Sequence, residues 1–417
     1  MSLWRAVLAV LVAARIAIPL AALAASGTKL PGIPRYDYAP LNGDANDYYA
    51  AGREVISTPL RQAPLTALLA LGVALAVWWG LRLRGRRPDL AWAALAGPAL
   101  ALGLAVAAEI RFMHVSGAGT IGWPLVWAVP MAPLRALGAL DPDSAFAAGL
   151  AVSLVANAVS VVATAYVGRY ATGSRAIGLA ASGLFALWPL LTGVIAGERG
   201  WENGTWQVDV GLHLYSEPLS TALVTVAAAL LLAPRATDVR LWAAGGLLGF
   251  ATAVRLSNAL LAALALALVW KVGRERVVPF LAGAAASVPV VASYWPKGYL
   301  PRFDDPQAFP QDPFSLEYVV TSWSESLLFR PVALLVLAPL ALAGVVALRR
   351  RRAALFLLGG WIAATAAFYS VYESTAQHPR FLFVVLPSLL VLEAAGASAA
   401  VRLAGAARRR GNARLRL

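Results

Sequence analysis

Cysteine is absent from all 417 residues. Disulfides, thiolate nucleophiles and cysteine metal sites are excluded with it. Histidine is scarce, and His114, His213 and His378 are spaced too widely to form the short-range pair of a zinc site. A carboxylate-bound magnesium or manganese stays open, and no other cofactor is indicated. Charged residues make up only 13% of the chain, with 21 acidic against 35 basic. No nucleotide-binding unit is present. "GAGTIG" at 117–122 satisfies G-x-G-x-x-G, but no strand precedes it and no α/β unit surrounds it, so it reads as an outer turn.

Apolar sequence fills the space that charge leaves. Hydrophobic residues reach 60% and mean hydropathy is +0.69, outside the range of soluble globular chains. The apolar stretches repeatedly approach the roughly 20 residues that cross a bilayer. The expected fold is all-α: a polytopic transmembrane helical bundle of about 12 spans with short outer-face helices and loops. The spans are placed near 3–25, 63–81, 90–108, 145–167, 176–196, 216–233, 241–254, 256–270, 277–295, 331–348, 353–372 and 380–402. The first is read as a retained span rather than a cleaved signal, because it is long and carries Arg15 and Pro19. One domain over 1–417 accounts for the whole chain. The seventh and eighth segments are too short to cross alone, which puts Arg255 at the tip of a hairpin turning within the membrane. The proline-broken stretch 122–137 is expected to be interfacial or re-entrant.

The net charge of +14 would suggest nucleic acid in a soluble chain, but here the cations cluster at the ends of apolar segments. "RLRGRR", "KVGRER", "RRRR" and the tail "RRRGNARLR" read as orientation signals in contact with membrane lipid, and no nucleic-acid partner is expected. They place both termini in the cytoplasm. The acidic residues then gather outside, in segments 26–62, 109–144, 197–215 and 296–330. Acidic residues contribute little to orientation, so this excess points to chemistry on the extracytoplasmic face.

Three groups of residues can supply that chemistry. In "GDANDYYAAGREV" a short helix is expected to open at Asp44, with Asp47 three residues on in capping-box spacing. Capping alone accounts for both acids, but Tyr48 and Tyr49 add the aromatic, hydroxylated surface that sugar sites use. The second group, 197–219, sets Glu198, His213 and Glu217 among aromatic residues, and Glu217 enters an apolar span just ahead of Pro218. A carboxylate there is expected to be paired, functional or a helix cap. The third comprises cations able to hold a phosphate: Arg255, Lys297, and His378 with Arg380 at the mouth of the last span.

Taken in order, "GDANDYYAAGREV", "LYSEPLSTALV", "GFATAVRLSNALL" and "HPRFLFVVLPSLLVL" resemble the polytopic glycosyltransferases of the C structural class, which include protein O-mannosyltransferases and the aminoarabinose transferases of lipid A. The resemblance covers nearly the whole chain. It implies transfer of a single sugar, a mannose-like hexose or a pentose, from a polyprenyl phosphate carrier to a hydroxyl of a glycan, lipid or protein acceptor. The family's acidic residue in the first outer loop matches Asp44, with Asp47 as rival; Ala45 stands where an adjacent Asp-Glu pair is common. In the expected inverting displacement Asp44 is the general base, Arg255 and Arg380 (with Lys297 as a third candidate) hold the leaving phosphate, and Glu217 and His213 orient substrate. A multispan lipid or glycan transporter or flippase, and a ligase or polymerase of lipid-linked glycans, are the alternatives.

Overall fold

Backbone polar groups in apolar surroundings must find partners within their own segment, which makes helices of long apolar runs. The computed structural model describes residues 3–28, 38, 41, 43–57, 72, 75–76, 78–80, 82–83, 88–113, 119–196, 210–235, 237–298, 314–320, 333–372 and 379–414. Among them the regular structure is helical throughout, with no strand and one isolated bridge between Phe314 and Tyr372. The helices are α1 (Leu3–Ala24), α2 (Asp44–Ser57), α3 (Pro88–Phe112), α4 (Gly122–Ala136), α5 (Pro142–Thr172), α6 (Arg175–Ala196), α7 (Glu217–Leu232), α8 (Asp238–Val254), α9 (Asn258–Val272), α10 (Val277–Ala284), α11 (Ser287–Gly298), α12 (Ala338–Leu348), α13 (Arg352–Ser370) and α14 (Leu386–Arg414). Every expected span is met by a helix except 63–81, which lies largely outside the described residues.

Five of these helical stretches are long and apolar enough to cross a membrane: Leu3–Ala24, Ala94–Arg111, Pro142–Thr172, Arg352–Ser370 and Arg380–Ala406. A sixth forms if Arg274–Ala284 and Ser287–Lys297, bent by 56° at their junction, count as one. That many long apolar helices is what a membrane protein has. Others are shorter, including Glu217–Leu232 and Asn258–Val272.

Local signals set the ends that matter. Before α5, Asp141 accepts from the Ser144 amide at 2.7 Å while its own amide donates to Ser144 Oγ at 2.9 Å, a capping box with Pro142 behind it. The helix stops at Gly173, whose φ of 78° closes its last turn. Between α8 and α9 the chain breaks at Arg255, extended at φ −148° and ψ 122°. Asn258, buried at the start of α9, donates to the Ala251 carbonyl and to Ser220 Oγ, each at 2.8 Å, so one amide ties three helices together at the break.

The segment 122–137 is a helix, α4, with Pro130 and Pro133 inside it. It packs on α2 and α5 and carries Trp123 and Trp127, both fully buried. Trp127 donates to the Ala145 carbonyl at 2.9 Å. It is the shelf on which α2 rests.

Small residues bring helices together where apolar helix faces meet. α12 and α14 approach so closely that a Cβ on Gly396 would land on the Leu340 carbonyl oxygen, and one on Gly344 on that of Leu392. Overpacking such a contact costs about 1–3 kcal/mol. Gly396→Ala is therefore expected to lower the melting temperature of the purified chain, whereas Gly405→Ala, with nothing within 4 Å of the added methyl, leaves it unchanged or slightly raised.

Candidate active site

Four helix ends from distant parts of the sequence meet in one charged row. α2 opens at Asp44, as its sequence predicts. Gly43 precedes it at φ 55°, a left-handed conformation that favours glycine, and a Cβ there would sit 2.7 Å from Tyr215 Oη. The other end of α2 is tied down where Arg135 donates to Ser57 Oγ at 2.7 Å. Glu217 is the first residue of α7, followed by Pro218 in the first turn. Ser216 before it makes no side-chain cap, and the Glu217 carboxylate turns toward arginines instead. Arg255 comes from the α8–α9 break, and Arg380 from the 3₁₀ turn Pro379–Val385 that leads into α14.

Arg255 Nη1 lies 2.5 Å from Glu217 Oε1, and Arg380 Nε lies 3.6 Å from the same oxygen. Arg380 Nη2 reaches the other way, donating to Asp44 Oδ2 at 3.2 Å. The order is Asp44, Arg380, Glu217, Arg255, with signs alternating. Exposure separates the two acids: the Glu217 side chain is 4% exposed and that of Asp44 is 38%. Glu217 Oε2 and Arg380 Nε, both buried, have no hydrogen-bond partner among the described residues.

Aromatic groups wrap the row. Arg380 sits 4.2 Å over the Tyr215 ring and 5.2 Å from that of Phe381. Arg255 lies 4.8 Å from the Phe381 ring and donates through Nη2 to Tyr369 Oη at 3.0 Å, while Ser257 Oγ is 2.8 Å from that hydroxyl. Phe381 and Tyr369 stack at 5.3 Å, and Phe314, Phe368 and Tyr372 extend the shelf. Cation–π contact of this kind stiffens a guanidinium without consuming all of its donors.

His213 and Tyr215 are edge to face, with ring centroids 5.6 Å apart. Burial, and then the Arg380 charge, pushes the His213 pKa down to about 4, so the imidazole is neutral near neutrality. Burial pushes Tyr215 up, helped by the Asp44 carboxylate, which keeps its hydroxyl protonated. Leu214 between them is fully buried with φ 52°, a left-handed leucine. Backbone strain of this kind persists where surrounding packing fixes it.

The sequence-predicted residues fall into three sets. Asp44, Glu217, Arg255 and Arg380 come together in the row; His213 stands beside it through Tyr215; and the Tyr48 hydroxyl is close enough to act electrostatically on Arg255. Tyr49 is instead buried against Trp127, with ring centroids 6.2 Å apart and Arg53 5.6 Å from its ring, so it is a packing residue of the α2–α4 contact. Lys297 is also elsewhere: its ammonium donates to the carbonyls of Ile110 and Arg111 at the end of α3, where helix carbonyls lack intrahelical partners and the dipole favours a cation. It caps α3 and is not part of the charged row. Asp47 lies one turn along α2 from Asp44. Glu198 and His378 lie outside the described residues.

Tyr215, Ser257, Tyr369 and Phe381 are site residues that the sequence candidates do not include. Tyr215 and Ser257 each stand two residues from a charged member of the row, a proximity visible in the sequence itself. Tyr369 has no local signal, since it arrives on α13. Among the described residues no three His, Cys, Asp or Glu side chains converge as a metal group. Asp44 and Glu217 both face guanidinium groups, a poor donor set for a divalent cation. Comparison of the chain with models of protein families and with curated proteins found no match.

Removing Glu217 leaves two largely buried guanidinium groups without their shared counter-ion. Glu217→Gln is expected to destabilise the purified chain by about 3–5 kcal/mol in denaturant or thermal unfolding. His213 supplies a pH effect whose sign follows from its depressed pKa: unfolded chains take up the proton first, near pH 6.5, and the folded state only near 4. Stability is thus full above pH 6.5 and declines as pH falls toward 4, by roughly 3 kcal/mol from this group. Thermal melts between pH 7 and 4.5 should show that decline, and His213→Gln should flatten it.

Proposed function

We propose that the chain is a membrane glycosyltransferase of the C structural class, with about 12 spans and both termini cytoplasmic, acting at the extracytoplasmic face. It moves one sugar from a polyprenyl phosphate to an acceptor hydroxyl. The observation that carries this reading is Arg380 lying between Asp44, at 3.2 Å, and Glu217, which also holds Arg255. The general base would thereby contact one phosphate-binding guanidinium directly, and Glu217 links that guanidinium to the second.

The chemistry follows from the two acids' surroundings. Glu217, buried at the start of α7, is a positioning residue that fixes both arginines. Asp44 is the accessible carboxylate. A donor phosphate between Arg255 and Arg380 competes with Asp44 for Arg380 and so frees an oxygen of Asp44 to accept a proton. The acceptor hydroxyl gives that proton to Asp44, its oxygen bonds to the anomeric carbon, and the bond from that carbon to the phosphate oxygen breaks on the opposite face. Configuration inverts. The phosphodiester, carrying one negative charge, leaves as a phosphate monoester with a second, and the guanidiniums stabilise the added charge. Because phosphate leaves as a stable anion, no acid is needed to protonate it. Phe381 and Tyr369, beside Arg255, offer flat faces to the sugar or to the first isoprene units of the carrier.

The test is product analysis with a panel of polyprenyl phosphate monosaccharides, following release of free polyprenyl phosphate. Asp44→Asn is expected to retain the fold and to lower turnover by roughly 10²-fold or more. Near-normal turnover in that variant, with a loss in Asp47→Asn, would move the base one turn along α2. A donor requirement for a lipid pyrophosphate oligosaccharide would favour a ligase, and movement of the lipid-linked sugar with no release of phosphate would favour a flippase.

A further inference from the structure

A second feature lies along the C-terminal half of α7, away from Glu217. A groove of about 600 Å³ runs between α5 and α7. Its α5 wall is the stripe Ala158, Tyr166 and Tyr170, its α7 wall includes Val226 and Leu230, and Arg240 of α8 completes the lining. Residues four apart line one face of a helix, and the stretch from Ala158 to Tyr170 climbs about 18 Å, the scale of a lipid acyl chain. α1 and α5, which flank the groove, are both long and apolar enough to span a bilayer.

The chemistry changes toward one end. Trp4, Tyr166 and Tyr170 form a chain of rings with centroids 6.1 and 5.7 Å apart, the amphipathic aromatics that settle at a membrane–water boundary. Arg169 lies 6.0 Å from Trp4 and 5.8 Å from Tyr170. Arg240 is held over the end of α7 by a 2.8 Å bond to the Arg235 carbonyl, and Arg235 is exposed. None of these three guanidiniums makes a salt bridge with a carboxylate among the described residues. Asp238, in the first turn of α8, is the nearest acid in sequence.

We propose that this groove binds an anionic phospholipid, one acyl chain lying along α5 and α7 and the headgroup phosphate reaching Arg240 and Arg169. The occupant is fixed by charge complementarity: an apolar channel fits any acyl chain, but its cationic, aromatic mouth selects a negative headgroup. The site is separate from the charged row: Val226, the first α7 residue of its lining, stands nine residues beyond Glu217, a rise of about 14 Å along the helix. It depends on the membrane placement of α1 and α5 but not on glycosyl transfer.

The experiment uses the full chain, delipidated in nonionic detergent and exposed to phosphatidylglycerol or phosphatidylcholine with the same acyl chains, with retained lipid counted by native mass spectrometry. Phosphatidylglycerol should be retained in excess of phosphatidylcholine by roughly fivefold for each arginine engaged. Arg169→Gln with Arg240→Gln should remove the excess and leave phosphatidylcholine retention unchanged, the internal control for folding. Ala158→Phe should reduce both by filling the groove. Equal retention of the two lipids by the unmodified chain would overturn the proposal, as would an unchanged excess in the double variant. Displacement of bound lipid by millimolar inorganic phosphate would also overturn it, because the site would then be one for phosphate and not for lipid.

Discussion

Glu217 is an ion buried at the lip of an apolar helix, and it persists there because two arginines share one of its oxygens. A carboxylate carried out of water loses several kcal/mol of hydration, which a single exposed partner does not return. Arg255 at 2.5 Å and Arg380 at 3.6 Å supply the compensation, and the charge of the trio is then balanced by the more exposed Asp44. Each arginine is in turn held by an aromatic ring, Phe381 or Tyr215, which leaves part of its hydrogen-bonding edge uncommitted. The start of α7 adds to the same balance, since the amides of a first helical turn favour an anion.

This arrangement dictates backbone features that have no packing rationale of their own. Arg255 reaches Glu217 because α8 stops at Val254 and α9 begins at Asn258, and Asn258 braces the break by donating to the Ala251 carbonyl, which also accepts from the Arg255 amide. Arg380 comes from a 3₁₀ turn before α14. Gly43 lets α2 start close enough to Tyr215 for Asp44 to meet Arg380. α4, apolar yet interrupted by two prolines, supports α2 from below through Trp127 and Tyr49.

Helices are legible from hydropathy because a helix in apolar surroundings announces itself by composition, with every backbone bond made locally. The break at Arg255 is legible too: a lone arginine between two short apolar runs is tolerated where the chain turns and the charge can reach a partner. Asp44 is visible as a helix opening, and Glu217 as a charge out of place. What composition does not carry is which face a side chain takes once neighbours are chosen. Tyr48 and Tyr49 are adjacent and alike, yet successive helical residues point about 100° apart, so one acts electrostatically on Arg255 and the other packs on Trp127. Lys297 looks like a phosphate ligand as long as only its charge is seen, because the carbonyls at the end of α3 that it caps are distant in sequence. Tyr369 contributes through a hydroxyl from a helix 114 residues from Arg255, a pairing that no local pattern encodes.

The asymmetry between the two acids gives the row a direction. Were Asp44 and Glu217 equally buried, an arriving phosphate would have to break two strong ion pairs at once. Instead Glu217 is enclosed and bound to both guanidiniums, while Asp44 pairs with Arg380 alone among the described residues and is the more exposed of the two acids. An anion can therefore displace Asp44 from Arg380 without dismantling the pair that positions both arginines. In the proposed reaction that exchange is productive: the group that binds the leaving phosphate is the one that had been restraining the base, so substrate binding and base release are the same event.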